Sequence, residues 1–363
     1  MKKIWLFLMM ALVACKGERK EPENMTPQAD TIRLTVLNEV PATSVKQQIS
    51  GTCWAYSTAS FLESEIYRTK GKFMELSAMY FVRNVYLQKA ENYILRQGTA
   101  RFTEGGCNYD PLLAVNSLGT VPFGTYRGDT VGSHQGLFAE LYPRVFDYAD
   151  REKEMKSDWR EEIPSVLNKH LGAPIDSFEY DGRWFTPKTF WEYTGLNSED
   201  YVNLTSFLHV LPYKYSALSI PANWSSAAYF NVPLDEYMEN IDHALAHGYS
   251  LAVAMDLSEP GISVMEGFAL MPSDSVFSPK RRQKDFESFR TTDDHNMHIV
   301  GKARDENGNV FYKCKNSWGT SFGLGGYYYI SAPYMRMKSI YVMLHKDGLM
   351  EQTKRKLFAE SVR

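Results

Sequence analysis

The sequence predicts an α+β protein built of two lobes, and three observations carry that expectation. Helical patterning dominates the first half, strand patterning dominates beyond Gly248, and the Pro233–His247 stretch between them has a sharp apolar stripe. The chain's 363 residues suffice for one large domain or two modest ones sharing an interface, and 44% hydrophobic content can bury a sizeable core.

Taken in order, Ile32, Leu34 and Val36 alternate with polar residues and read as a strand. Cys53 to about Tyr67 is helical, opened by a Gly51-Thr52 turn. Asp110 to Leu118 reads as a second helix, bounded by Gly105-Gly106 and Gly119. The charged run 151–162 reads as exposed helix or loop surface, and the stretch from there to Val232 carries mixed signals that assign no element closely. Pro233 to His247 is the clearest helix, with Leu234, Tyr237, Met238, Ile241 and Leu245 on one stripe and Gly248 as its stop. Leu251–Met255, His298–Val300, Val310–Cys314 and Gly326–Ile330 then read as strands.

Forty Lys and Arg against 43 Asp and Glu leave a net charge of −3, so no nucleic acid or other polyanion is implied as partner. The local exception, Lys280 to Lys284, is followed at once by Asp285 and Glu287 and reads as a solvated loop. At the N-terminus Lys2 and Lys3 precede the apolar stretch Ile4–Val13, too short to span a bilayer. Leu12-Val13-Ala14-Cys15 resembles the bacterial lipobox, which implies cleavage before Cys15 and lipid on its thiol. Several acyl chains make a stable anchor, so the expected location is the cell envelope of a bacterium, on a membrane surface without spanning it. The expected segments are a lipoprotein signal peptide (1–14), a flexible tether (15–31), a mainly helical lobe with Cys53 (32–170), a mainly β lobe with His295 and Asn316 (171–345) and a C-terminal arm (346–363).

With Cys15 used, Cys53, Cys107 and Cys314 remain, an odd number that leaves at least one thiol free or paired to another molecule. Cys53 opens its helix, where unpaired amides make a partial positive charge that favours thiolate. Taken alone, a cysteine there is more often a buried structural residue than a nucleophile. The run Gln47-Gln48-Ile49-Ser50-Gly51-Thr52-Cys53-Trp54 changes that weighting, because it resembles the active-site segment of papain-like cysteine peptidases of clan CA, family C1. The resemblance implies a papain-like two-lobe fold, with a helical lobe carrying the cysteine and an antiparallel β-barrel-like lobe carrying the histidine and asparagine. It also implies Cys53 as nucleophile and Gln47, six residues earlier, as side-chain donor to an oxyanion hole. Loss of one such donor costs roughly 3 to 4 kcal/mol in acyl-transfer sites.

The run Asp294-His295-Asn296-Met297-His298-Ile299-Val300-Gly301 is similar to the family's histidine strand, which makes His295 the base. Three apart on a strand, His295 and His298 point to opposite faces, so only one meets the thiol, and His298 reads as packed or at the surface. Asn316-Ser317-Trp318-Gly319 matches the family's Asn-Ser-Trp-Gly block; Asn316 would orient the imidazole and Trp318 shield that bond, with Trp54 in support on the cysteine side. His295 lies 242 residues after Cys53, against roughly 130 to 150 in papain and cathepsins. That separation resembles the bleomycin hydrolase and aminopeptidase C branch, as do Gly105-Gly106 through Pro122, Phe185–Phe190 and the Pro233 helix. The branch implies an aminopeptidase on short peptides, with no cofactor and no metal; endopeptidase activity or a silent peptide-binding role are the alternatives. Gly105, Gly106 and Cys107 are then expected beside a bound peptide.

The chain also departs from the branch. Its end, Arg355 to Arg363, does not resemble the arm that lies in the cleft of those relatives, which puts aminopeptidase activity and a homo-oligomer in question. Ser50 and Thr103 stand where secreted papains place a disulfide. His243 and His247 could share a metal face, but they fall opposite the apolar stripe and no carboxylate or cysteine completes a site.

Overall fold

The structure, a computed structural model, describes residues 32–128, 134–150, 158–272 and 275–361. The signal and tether segments, including Cys15, lie outside the described residues, as does the 151–157 part of the charged run. Strand β1 (Leu34–Glu39) precedes five helices: α1 (Cys53–Lys70), α2 (Ala78–Leu95), α3 (Asp110–Leu118), α4 (His134–Ala149) and α5 (Trp159–Leu171). A hairpin of β2 (Phe178–Tyr180) and β3 (Arg183–Phe185) leads to α6 (Pro187–Thr194), whose start carries a Thr186–Thr189 capping box with Pro187 in the first turn.

The second half holds β4 (Tyr201–Thr205), β5 (Lys214–Ala217), β6 (Ala228–Asn231), α7 (Leu234–Ala246), β7 (Leu251–Met255), β8 (Ile262–Ser263) and β9 (Phe268–Ala269). It continues through α8 (Pro279–Glu287), β10 (His295–Asp305), β11 (Val310–Lys315), β12 (Tyr327–Ser331), α9 (Ala332–Lys338), β13 (Ser339–His345) and α10 (Glu351–Ser361). Eleven strands share one sheet in the order β5-β6-β4-β13-β7-β10-β11-β12-β9-β8, with β1 paired to the far half of β10. All pairs are antiparallel except β4 with β6 and β9 with β12. The path ends at β5 and β8, so among the described residues the sheet stays open and the expected barrel-like closure is not found.

Two large apolar clusters follow the two lobes. One joins the faces of α1 to α6, including Trp54, Phe61, Phe81, Tyr86 and Phe190; the other packs α7 and α9 on the sheet, including Tyr237, Ile241, Val253, Met297 and Ile330. The α7 stripe is buried as its periodicity predicts, with Met238 at its half-buried edge. The split expected at 170/171 does not follow this packing. Phe178, Phe190, Trp191 and Leu196 lie in the helical cluster, while β1 hydrogen-bonds along β10 and so belongs to the sheet.

One further expectation changes. Lys280 to Lys284 forms the core of helix α8 rather than a loop, because Ser278 caps it, Pro279 fills the first turn and Arg281 pairs with Asp285 at i,i+4. Arg282 is buried, its guanidinium donating to the carbonyls of Ser206 and Arg336. The described part of the C-terminal segment packs against α7: Leu357 joins the sheet-side core, Thr353 Oγ1 donates to Glu236 at 2.6 Å, and Lys214 pairs with Glu360 at 2.6 Å.

Candidate active site

Helix α1 begins at Cys53, and the first amides of its turn, those of Cys53 and Trp54, have no intrahelical partner. The helix packs across β10, whose first residue is His295. Strands β10 and β11 pair with His298 opposite Lys315, so Asn316, just past the end of β11, comes alongside His295. His295 Nε2 is 2.8 Å from Asn316 Oδ1, which leaves Nδ1 for the Cys53 thiol, with which the ring shares a hydrogen bond. Trp318 covers this pair, its ring centroid 4.6 Å from that of His295.

The electrostatics are those of a coupled pair. Burial pushes the Cys53 thiol up, but the His295 charge and hydrogen bonds from His295 and Asn296 outweigh it, so the pKa falls below the ordinary 9.0. Burial likewise pulls His295 down, while the Cys53 charge and the bonds to Cys53 and Asn316 raise it above 6.5. Each partner favours the charged form of the other, which is the condition for a thiolate–imidazolium pair.

Gln47 and Gln48 separate clearly. The Gln48 side chain is tied on both ends, accepting from Ser317 Oγ at 2.7 Å and donating to the Ser50 carbonyl at 2.7 Å. Gln47 pairs with Trp318 through a β-bridge and has its side chain exposed beside Gly319. Gly319 has φ +78°, and a Cβ there would lie 3.5 Å from Gln47 Oε1.

Beside the Trp54 ring, Gly105 and Gly106 form a rail. A Cβ on Gly106 would lie 2.7 Å from Asp110 Oδ2 and 2.9 Å from the Trp54 ring, so only glycine fits. Space beside Gly105 is open to 4 Å, and neither backbone polar group of Gly106 has a partner among the described residues. Cys107 is a correction: it is 1% exposed among Phe207, Tyr229 and Tyr341, so its thiol presents a substrate with almost no surface. Burial raises that thiol well above its ordinary pKa, as it also does for Cys314, and neither is reactive in character. Trp54 is fully buried and donates Nε1 to the Glu104 carbonyl at 3.0 Å, fixing the rail to α1.

Several functional contacts were absent from the sequence reading. Asn296 Nδ2 lies 3.7 Å from Cys53 Sγ, while its Oδ1 accepts from Tyr341 at 3.2 Å; the one sequence signal was an amide in the position after His295. Where Ser50 and Thr103 leave no disulfide, Glu104 receives Ser50 Oγ and the Gly51 amide, and the buried Lys89 ammonium donates to the carbonyls of Thr103 and Gly105. Behind the site Lys315, pulled down to about 8 chiefly by burial, donates to Thr43 and Ser60 at 2.9 Å each. Ser60 bonds His298 Nδ1 at 2.8 Å. His298 is therefore a packed residue, held against Ser60 further along α1 from the thiol, its pKa held well below 6.5 by burial and then by Lys315. Among the described residues no group of three or more His, Cys, Asp or Glu is placed to hold a metal ion. His243 and His247 stack at 4.0 Å with their Nδ1 atoms against the carbonyls of Gly348 and His243.

Fold and comparisons together define a papain-like cysteine peptidase. A model of the Peptidase C1-like family matches residues 147–363, more than half of the chain, and the chain belongs to that family. It is similar to aminopeptidase C of Listeria monocytogenes, 23% identical over 94% of this chain and 89% of the relative. Among solved structures it is similar to PepW from Lactobacillus rhamnosis HN001, with a TM-score of 0.76 and 17% identity across 91% of this chain and 86% of the other.

Proposed function

We propose that this cysteine peptidase is an aminopeptidase on short peptides, with Cys53, His295 and Asn316 as its catalytic triad. The Cys53 thiolate attacks the carbonyl carbon, and the Gln47 side chain and the Cys53 amide receive the oxyanion. The tetrahedral intermediate expels the leaving amine, protonated by His295, to give a thioester; water, deprotonated by the same ring, then releases the acid and the thiol. Asn316 fixes the ring's direction and tautomer, and no cofactor takes part. The observation that carries this reading is the imidazole held at 2.8 Å by Asn316 beside a thiol whose pKa it lowers. A purely peptide-binding protein has no need of that ionisation.

The similarity to aminopeptidase C supports cleavage from a free N-terminus. Endopeptidase activity is the second reading, favoured by a C-terminal helix docked on α7. A short peptide tested with a free and with an N-acetylated amine separates them: cleavage confined to the free amine is expected, and equal rates would establish an endopeptidase.

We also infer that the protein is a bacterial envelope lipoprotein, held to a membrane surface through Cys15, with peptides as its other partners. Leu12-Val13-Ala14-Cys15 after a basic and apolar leader supports this. Cys15→Ser is expected to move the protein from the membrane to the soluble fraction and to abolish acyl labelling; a variant still acylated and sedimenting with membranes would remove the anchor.

A further inference from the structure

The β5–β6 connection, residues 218–227, contributes to the apolar packing of both lobes. Its first part is fixed to the sheet lobe, where Leu218 and Ile220 are buried with Tyr229 and Tyr341. Ala222 then donates its amide to Asp293 Oδ2 at 3.2 Å, two residues before His295. Trp224 reaches the other lobe: its ring joins the helical core, its carbonyl accepts from Asn92 of α2 at 3.2 Å, and its buried indole N–H lies near Asp110 without meeting an acceptor at hydrogen-bond distance among the described residues. Asp110 is the carboxylate that holds the Cys107 amide at 2.8 Å and crowds Gly106. The strap thus spans from the approach to His295 to the foot of the rail.

It is also braced within itself. Asn223 donates to the carbonyls of Leu218 and Ala227 at 2.9 and 3.0 Å and accepts from the Ala227 amide at 2.8 Å. A connection held in this way, at both ends and across its base, is a fixed wall and not a loose loop. The described part of α10 meanwhile packs on α7, so something other than that helix must limit the acyl side of the cleft if the enzyme is to demand a chain end.

Asp293 supplies the second half of the argument. Its carboxylate is half-buried and has one oxygen engaged by Ala222; burial pushes its pKa up to about 6, with Arg101 opposing that rise and Asp294 adding to it. A substrate ammonium brought beside it would favour the charged carboxylate and remove much of that cost.

We propose that the 218–227 strap bars the cleft where the acyl side of a substrate would extend past its terminal residue, and that Asp293, anchored by the strap, receives that residue's α-ammonium. The strap then takes the place of a C-terminal arm as the exopeptidase determinant. This rests on the aminopeptidase reading above and names the device that enforces it.

Three coumarin amides test it with the full-length enzyme: alanyl with a free amine, N-acetyl-alanyl, and N-acetyl-lysyl-alanyl. The wild type is expected to favour the free amine by at least about 100-fold. Replacing residues 221–226 by two glycines, or the milder Trp224→Ala, is expected to narrow that preference at least tenfold by gaining hydrolysis of the acetylated substrates, a gain that misfolding cannot produce. Asp293→Asn is expected to raise KM for the free amine about tenfold more than it lowers kcat, the pattern of lost ground-state binding, and Asp293→Glu to recover part of it. Strap variants that label with a thiol-directed epoxide at the wild-type rate yet keep the full preference would overturn the proposal. So would wild-type cleavage of the acetyl-lysyl substrate at the free-amine rate, which assigns Asp293 to a side chain. Equal wild-type rates on all three substrates would instead remove the aminopeptidase reading itself.

Discussion

Replacing Cys53 with alanine is expected to lower kcat/KM by about 10⁴-fold or more, leaving only what the oxyanion donors and binding supply. The reason lies in the coupling of Cys53 and His295. Because His295 and Asn296 lower the thiol below 9.0 against the effect of burial, the sulfur is ionised over a range in which a free thiol is not. Because Cys53 and Asn316 raise His295 above 6.5, the ring keeps its proton over the same range. The signs then fix the pH profile of alkylation by iodoacetamide. Reactivity appears as pH rises through the lowered thiol pKa, stays level while the ring is charged, and changes again as pH passes the raised imidazole pKa. Alkylation that climbs in a single step near the ordinary thiol value of 9.0 would show an uncoupled cysteine, and full hydrolysis by the alanine variant would move the nucleophile elsewhere.

The parts of this protein that were legible in its sequence are those where chemistry restricts residue type at an element's end. Cys53 heads α1, His295 heads β10 and Asn316 follows β11, and each run of neighbours has few other uses. The helix over Asp110–Leu118 and the α7 stripe were legible because glycine stops and a 3.6-residue period are local signals. The stretch before Val232 was not, for physical reasons that can be named. Helices α4 and α5 each contain a proline, Pro143 and Pro164, and the strands there are three to five residues long, too short to show a period.

Buried charge was the other blind spot. Lys89, Arg282 and Lys315 lie at or below 4% exposure, yet by composition each reads as a surface residue. Their partners are mostly backbone carbonyls and hydroxyls contributed by distant segments, such as Thr103, Ser206 and Thr43, which leave no trace in local patterning. These contacts also explain how the rail keeps its place without a disulfide. Lys89 draws the Thr103 and Gly105 carbonyls inward while Glu104 grips the Ser50-Gly51 turn, so a charge-assisted clasp does what a covalent link does elsewhere.

The second large effect is expected at Gln47. Its amide is exposed beside Gly319 while the neighbouring Gln48 amide is engaged at both ends, so only Gln47 is free to meet an oxygen that becomes negative above Cys53. A donor used only in the transition state lowers the barrier without tightening substrate binding. Gln47→Ala should therefore reduce kcat by about 10² to 10³ with KM nearly unchanged, roughly 3 to 4 kcal/mol of barrier. Gln48→Ala breaks its bonds to Ser317 and Ser50 instead, loosening the Asn316 loop and the turn before Cys53; it should cost stability at about 1 kcal/mol per lost bond and touch kcat only indirectly. Steady-state kinetics paired with thermal unfolding on the two variants separates these effects. If the larger loss of kcat followed Gln48, or if Gln47→Ala raised KM with kcat intact, the exposed amide would be a binding group and the oxyanion would have to be held by the Cys53 amide and some other donor.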